Sequence, residues 1–210
     1  MAAPTVIFVE GTGMVKVYIA SAAAAGAVGP VWPAARQAQL DKTKNACHRQ
    51  ARYGVWRLLE YALRDALGLE LRQLELSLNE GKWTCPECFF SLSHSKNAVA
   101  VAVATEPVGV DVEYVRPLSA SLAEKILSEE ELTAFRGLSP ENGQAYLLDR
   151  WCKKESLFKW GHLPAYRPRE LCPGDMTRTA TFRLAGQQYT VAVTACDPQP
   201  PQFHITETEY

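Results

Sequence analysis

The stretch 97-NAVAVAVA-104 constrains the fold more than any other part of the chain. Strict alternation of two apolar residue types is the period of a β-strand, whose successive side chains leave by opposite faces. Val alternating with Ala suits a strand packed tightly on a neighbour. Glu106-Pro107 breaks the run, and residues 108–115 read as the next strand, most simply as its antiparallel partner. Further strands are expected at 14–20 (MVKVYIA) and 89–92. A hairpin is expected from 181–184 and 188–195, and a last strand at 203–208.

Helices are expected between these strands. Pro33 can start a short one through Leu40. Residues 45–67 carry Tyr53, Trp56, Leu59, Leu63 and Leu67 on one stripe, with Gly68 as a stop signal. A short helix is expected at 122–127, and Ser128 to Glu131 resembles a capping box opening another that runs to about Arg136. Pro140 precedes a long amphipathic helix, 141–160, closed by Gly161. Each half thus runs helix, then strand pair. That order points to an α+β fold of two similar halves, 1–105 and 106–210.

The chain has 210 residues, a formal net charge of −1 and 47% hydrophobic residues, as in an ordinary globular protein. Nothing global points to nucleic acid or an anionic membrane, so a polyanion site has to be built locally. The first residues carry Glu10 and Lys16 and lack a basic leader, and the Ala-rich stretch at 21–32 is interrupted by Gly26, Gly29 and Pro30. A cytoplasmic location is expected. The six cysteines read as thiols. Cys85-Pro86-Glu87-Cys88 has zinc-knuckle spacing, but no second pair and no thioredoxin-like pattern accompanies it. It reads as a loop with two thiols.

Three segments carry candidate chemistry. In 109-GVDVEYV-115, Asp111 and Glu113 share one face while Val110 and Val112 bury on the other. The plainer reading is a solvated strand face. However, paired carboxylates repel unless a cation lies between them, and their hard oxygens suit Mg²⁺. In 151-WCKKESLFKW-160, Glu155 and Lys159 are adjacent on a helix. A surface ion pair there would contribute only about 0.3–0.5 kcal/mol. Trp151, Leu157, Phe158 and Trp160 imply a buried helix, whose charges need partners or a ligand. Glu155 as a further Mg²⁺ ligand, with Lys154 and Lys159 facing phosphate oxygens, would meet that need. In 90-FSLSHSKN-97, Ser93, His94 and Ser95 offer donors for phosphate, although a lone strand histidine is often structural. A serine-protease triad is excluded, because neighbouring Ser and His on one strand lack the required geometry and no G-x-S-x-G is present.

Taken in order, 91-SLSHS-95, 109-GVDVE-113 and 151-WCKKESLFK-159 resemble the signature of the 4′-phosphopantetheinyl transferases of the surfactin-synthetase-activating (Sfp) type. The resemblance spans about residues 44 to 160 and includes Gly81-Lys82 and 126-ILSEEEL-132. Ser91 stands where the family usually has Asn. The resemblance implies an enzyme that moves the phosphopantetheine arm of coenzyme A onto a serine of an apo acyl, peptidyl or aryl carrier protein, releasing adenosine 3′,5′-bisphosphate. It implies a monomeric pseudo-dimer of two α+β halves, with coenzyme A in the cleft and no nucleic-acid or membrane partner.

Carried over, Asp111, Glu113 and Glu155 would hold Mg²⁺, with Glu155 also the candidate base and Lys159 stabilising the leaving group. Lys82, Ser93, His94 and Lys154 would contact coenzyme A phosphates, and Lys44 and Arg49 its 3′-phosphate. Glu131 matches an acidic family position. Rival readings of the same carboxylates are a Mg²⁺-dependent phosphohydrolase or nuclease and a non-catalytic carrier-binding domain.

Overall fold

A computed structural model describes residues 6–9, 15–27, 29–79 and 81–196. The first half runs β1 (Val6–Val9), β2 (Val15–Ser21), α1 (Ala34–Asp41), α2 (Ala46–Leu67), β3 (Ser77–Asn79), β4 (Lys82–Thr84), β5 (Phe89–Ser95) and β6 (Ala98–Ala104). The second runs β7 (Val108–Tyr114), α3 (Ala120–Ile126), α4 (Glu129–Arg136), α5 (Pro140–Trp160), β8 (Thr177–Leu184) and β9 (Gln187–Ala195). The strand expected at 203–208 lies outside the described residues. Besides the small β3–β4 hairpin, the strands form two antiparallel sheets, ordered β1-β2-β6-β5 and β7-β9-β8.

The Val/Ala alternation sorts the layers. Ala98, Ala100, Ala102 and Ala104 face the second sheet and share a core with Val108, Val110, Val112, Val191 and Val193. Val99, Val101 and Val103 face α2 and pack with Trp56, Leu59 and Leu63. Every residue of β6 is buried, so both faces of the strand are apolar. Small alanines between the sheets let the second sheet approach closely, while branched valines fill the wider helix–sheet gap.

The expected pairing of 97–104 with 108–115 is corrected. β6 pairs with β2 on one side and β5 on the other, whereas β7 pairs with β9. The reason is local. Ser95 and Ala98 are partners across Lys96-Asn97, and Lys96 takes a positive φ of 54°, so a two-residue connection folds β5 straight onto β6. Both edges of β6 are then occupied, and after Pro107 the chain starts the other sheet. The later hairpin closes on Ala185 and Gly186, with φ of 47° and 72°, the left-handed pair that tight hairpins favour.

Helix boundaries follow their caps. The Asn45 side chain accepts from the His48 N–H at 3.0 Å, and Gly68, left-handed at φ 66°, ends α2. Ser128 and Glu131 form the full capping box of α4. α5 packs on β7 and β9, but not through its aromatics: Trp151, Leu157, Phe158 and Trp160 are only half-buried. Its buried residues are Gly143, Leu147, Leu148, Cys152, Lys154 and Ser156. The helix backbone itself lies against Gly109, where an added Cβ would stand 2.0 Å from the Ser156 carbonyl oxygen. Ser156 Oγ donates to the Gly109 carbonyl at 3.0 Å, locking that approach. Among the described residues no helix is long and apolar enough to cross a membrane.

Candidate functional site

β7 is an edge strand, so its outward N–H groups have no strand to donate to. β5 supplies hydroxyls instead. Ser91 Oγ accepts from Val110 N–H at 2.9 Å, Ser93 Oγ from Val112 N–H at 3.2 Å, and Ser95 Oγ from Tyr114 N–H at 3.1 Å. Alternate serines thus stitch the two sheets together edge to edge. Two of them also donate to the acidic pair, Ser93 to Asp111 Oδ1 at 2.8 Å and Ser95 to Glu113 Oε2 at 3.0 Å. This arrangement bears on the phosphate contact expected of Ser93. Its hydroxyl is buried and committed to β7, so it orients a carboxylate instead.

Gly109 brings α5 close enough for Lys159 to reach the same carboxylate. Lys159 Nζ donates to Asp111 Oδ1 at 2.8 Å and to the Val110 carbonyl at 3.1 Å. Asp111 is buried and its second oxygen, Oδ2, is buried with no hydrogen-bond partner. Burial, then the neighbouring Asp111 charge, raises Glu113 to a pKa of about 7 against the opposing pull of the Ser95 hydroxyl. Glu155 is raised by the same two causes, with Lys159 opposing. Burial pulls Lys159 down, but Asp111, through charge and hydrogen bond, outweighs it and leaves the ammonium above its usual value. Three carboxyl groups and one ammonium therefore form a cluster short of positive charge. The Tyr166 hydroxyl stands beside Glu155, buried, and burial followed by the Glu155 charge drives its pKa upward.

A cleft runs past this cluster between the halves. One end is a cavity of about 250 Å³ walled by Lys82, Trp83 and Phe90 from the first half and by Phe158, Lys159 and His162 from the second. Trp83 and Leu92 continue it into a space of about 400 Å³ lined by Arg36, Arg52 and His94. His94 continues that into one of about 850 Å³ lined by His48, Lys96, Glu113 and Arg116. His94 is exposed on the cleft surface. Its pKa is lowered by reduced contact with water and then by the positive charges of Arg52, Lys159, Arg36 and His48. A bound phosphate would cancel the second of these causes.

Other expected residues sit less simply. Lys82 lines the cleft, with Nζ 4.3 Å from the Phe158 ring centroid and donating to the Leu163 carbonyl at 3.0 Å. Lys44 is exposed and Arg49 half-exposed at the start of α2. That turn sends His48 and Gln50, not Lys44 or Arg49, into the cavity of about 850 Å³. Arg36 and Arg52 hold the better position, and sequence reasoning missed both, because residues on separate helices share no linear pattern. Lys154 is corrected outright. Its fully buried Nζ pairs with Glu131 Oε2 at 2.6 Å and donates to the Ile126 and Pro168 carbonyls, so it has no path to a phosphate. Glu131 is thereby a structural counterion as well as a cap.

Among the described residues no three His, Cys, Asp or Glu side chains form a ready metal-holding group, so Asp111, Glu113 and Glu155 are not preassembled around an ion. Residues 107–205 match the model of the 4′-phosphopantetheinyl transferase superfamily. The 4′-phosphopantetheinyl transferase psf-1 of Bacillus pumilus is 35% identical over 74 residues, covering 35% of this chain and 32% of that protein. A 4′-phosphopantetheinyl transferase of Bacillus subtilis is 28% identical over 106 residues, covering 49% and 47%. The 4′-phosphopantetheinyl transferase Sfp of Bacillus subtilis (strain 168) is 30% identical over 74 residues, covering 35% and 33%. The matched stretch spans about a third to a half of each of these relatives. Its second half, which carries the acidic strand and the Lys-Glu-Ser helix, is similar to the 4′-phosphopantetheinyl transferase superfamily.

Proposed function

We propose that this chain transfers the 4′-phosphopantetheine group of coenzyme A to a serine hydroxyl of an apo acyl, peptidyl or aryl carrier protein, releasing adenosine 3′,5′-bisphosphate. The observation that carries the reading is Asp111. One of its oxygens is fixed by Ser93 and Lys159, and the other is buried without a partner beside two further carboxyl groups of raised pKa. That donor set fits a divalent cation, and Asp111, Glu113 and Glu155 would hold it. Mg²⁺ bound there would neutralise charge on the diphosphate and on the transferring phosphoryl group.

The protein's own residues supply the rest. Lys159 holds Asp111 in place and presents positive charge to the leaving bisphosphate. Lys82 borders the same cavity, while Arg36, Arg52 and His94 offer the local basic patch that coenzyme A phosphates require. Burial and the Asp111 charge make Glu155 a stronger base than an exposed glutamate, suited to taking the carrier serine proton. The reading makes residues 1–105 and 106–210 the two halves of a pseudo-dimer, monomeric and cytoplasmic, with coenzyme A in the cleft and no nucleic-acid or membrane partner.

The test is incorporation of a fluorescent coenzyme A derivative into a panel of apo-carrier proteins with Mg²⁺ present. Binding of coenzyme A with no carrier modified across the panel would overturn the assignment, and coenzyme A hydrolysis without a carrier would favour a phosphohydrolase. Glu155→Gln should abolish transfer, roughly a hundredfold or more, with an unchanged circular dichroism spectrum. Near-normal turnover in that variant would remove Glu155 from both its roles.

A further inference from the structure

The loop between β4 and β5, Cys85-Pro86-Glu87-Cys88, plays no part in the transfer chemistry, and its geometry is specific. The two sulfurs stand 3.4 Å apart, and Cys85 Sγ is 3.3 Å from the Cys88 carbonyl oxygen. Cys88 is buried and Cys85 only half-buried. The loop and its flank contact the rest of the first half: Glu75 N–H donates to the Glu87 carboxylate at 3.3 Å, and Trp83 packs edge-on against Trp56 at 5.4 Å between ring centroids. A disulfide requires sulfurs about 2.05 Å apart, so the thiols need to close by only ~1.4 Å. Among the other free cysteines, Cys47, Cys172 and Cys196 are exposed and Cys152 lies on the buried face of α5, where its Sγ donates to the Asp111 carbonyl at 3.3 Å.

We propose that Cys85 and Cys88 are a reversible thiol–disulfide site, oxidised by exchange with a low-molecular-weight disulfide. The half-buried Cys85 thiolate attacks one sulfur of the disulfide, forming a mixed disulfide and releasing one thiolate. The Cys88 thiol then loses its proton and its sulfur attacks Cys85, closing the internal bond and expelling the second thiolate. The cysteine pair gives up two protons and two electrons, and the small disulfide is reduced to two thiols. Cys85 is the more accessible sulfur of the pair and Cys88 the buried one, which sets the order of attack. Closure ties together the two strands that supply Lys82, Trp83 and Phe90 to the 250 Å³ cavity, so the bond fastens one wall of the cleft. The inference does not depend on the proposed transfer activity.

The test equilibrates the reduced full-length chain with glutathione buffers of rising disulfide fraction, followed by acid quench, alkylation and peptide mapping. The tryptic peptide from Trp83 to Lys96 carries both cysteines and no other. It is expected to lose two hydrogens and to become refractory to alkylation at ratios where Cys47 and Cys172 carry only glutathione adducts. Cys88→Ser should instead trap glutathione on Cys85. A wild-type peptide that stays doubly alkylated, or that keeps glutathione in place of the internal bond, overturns the proposal. A Cys88→Ser chain with no adduct at Cys85 overturns the order of attack.

Discussion

Glu113 shows how the acidic cluster binds folding to pH. Its folded pKa of about 7 lies above its ordinary 4.5, so the folded chain holds that proton more tightly than the unfolded one. The stability linked to Glu113 is therefore complete below pH 4.5 and lost as pH rises through about 7. Without divalent cations, the melting temperature should fall over that window, and Glu113→Gln should flatten the fall. An unchanged slope in the variant would show that some other group controls it. On the proposed ligand set, adding Mg²⁺ should restore part of the loss at pH 8 in the wild type and less in Glu113→Gln, which would offer one charged ligand fewer.

At the scale of elements, the contact between β7 and α5 is the most exacting. Gly109→Ala would place a methyl group 2.0 Å from the Ser156 carbonyl oxygen and 2.7 Å from the Trp160 nitrogen, both backbone atoms that cannot swing aside. Relief requires α5 to lift, which removes Lys159 from Asp111. The expected cost is about 3 kcal/mol or more, read from the denaturant midpoint. A variant of wild-type stability would mean that α5 does not press on Gly109.

The same contact explains what the sequence made legible. Helix 45–67, the capping box at Ser128 and the hairpin around Gly186 were readable because each rests on neighbours in sequence. The partner of β6 was not, since a three-residue break at Thr105 to Pro107 says nothing about which sheet receives the next strand. Asp111, Glu113, Glu155 and Lys159 stand in motifs that the sequence shows directly, whereas the inward turn of Lys154 was not legible. Its neighbours gave no sign that one i,i+1 step on α5 turns a lysine from the cleft towards Glu131.

For the whole molecule, the alanine face of β6 sets the distance between the sheets, and with it the alignment of β5 on β7. Ala100→Leu should force the sheets apart, costing roughly 1–3 kcal/mol, and should impair transfer beyond what the lost stability explains. Val101→Ala, on the opposite face, should cost about 2–3 kcal/mol through a cavity against α2 yet leave the proposed transfer near normal in the folded fraction. Equal effects of the two variants on turnover, at matched folded fraction, would sever sheet spacing from activity. The serine stitching adds a rule of parity. Because hydroxyl meets amide only at every second position, slipping β5 past β7 by one residue would set Leu92 and His94 against amides they cannot satisfy. Gains or losses of chain length in this joint are thus tolerable in twos and ruinous in ones.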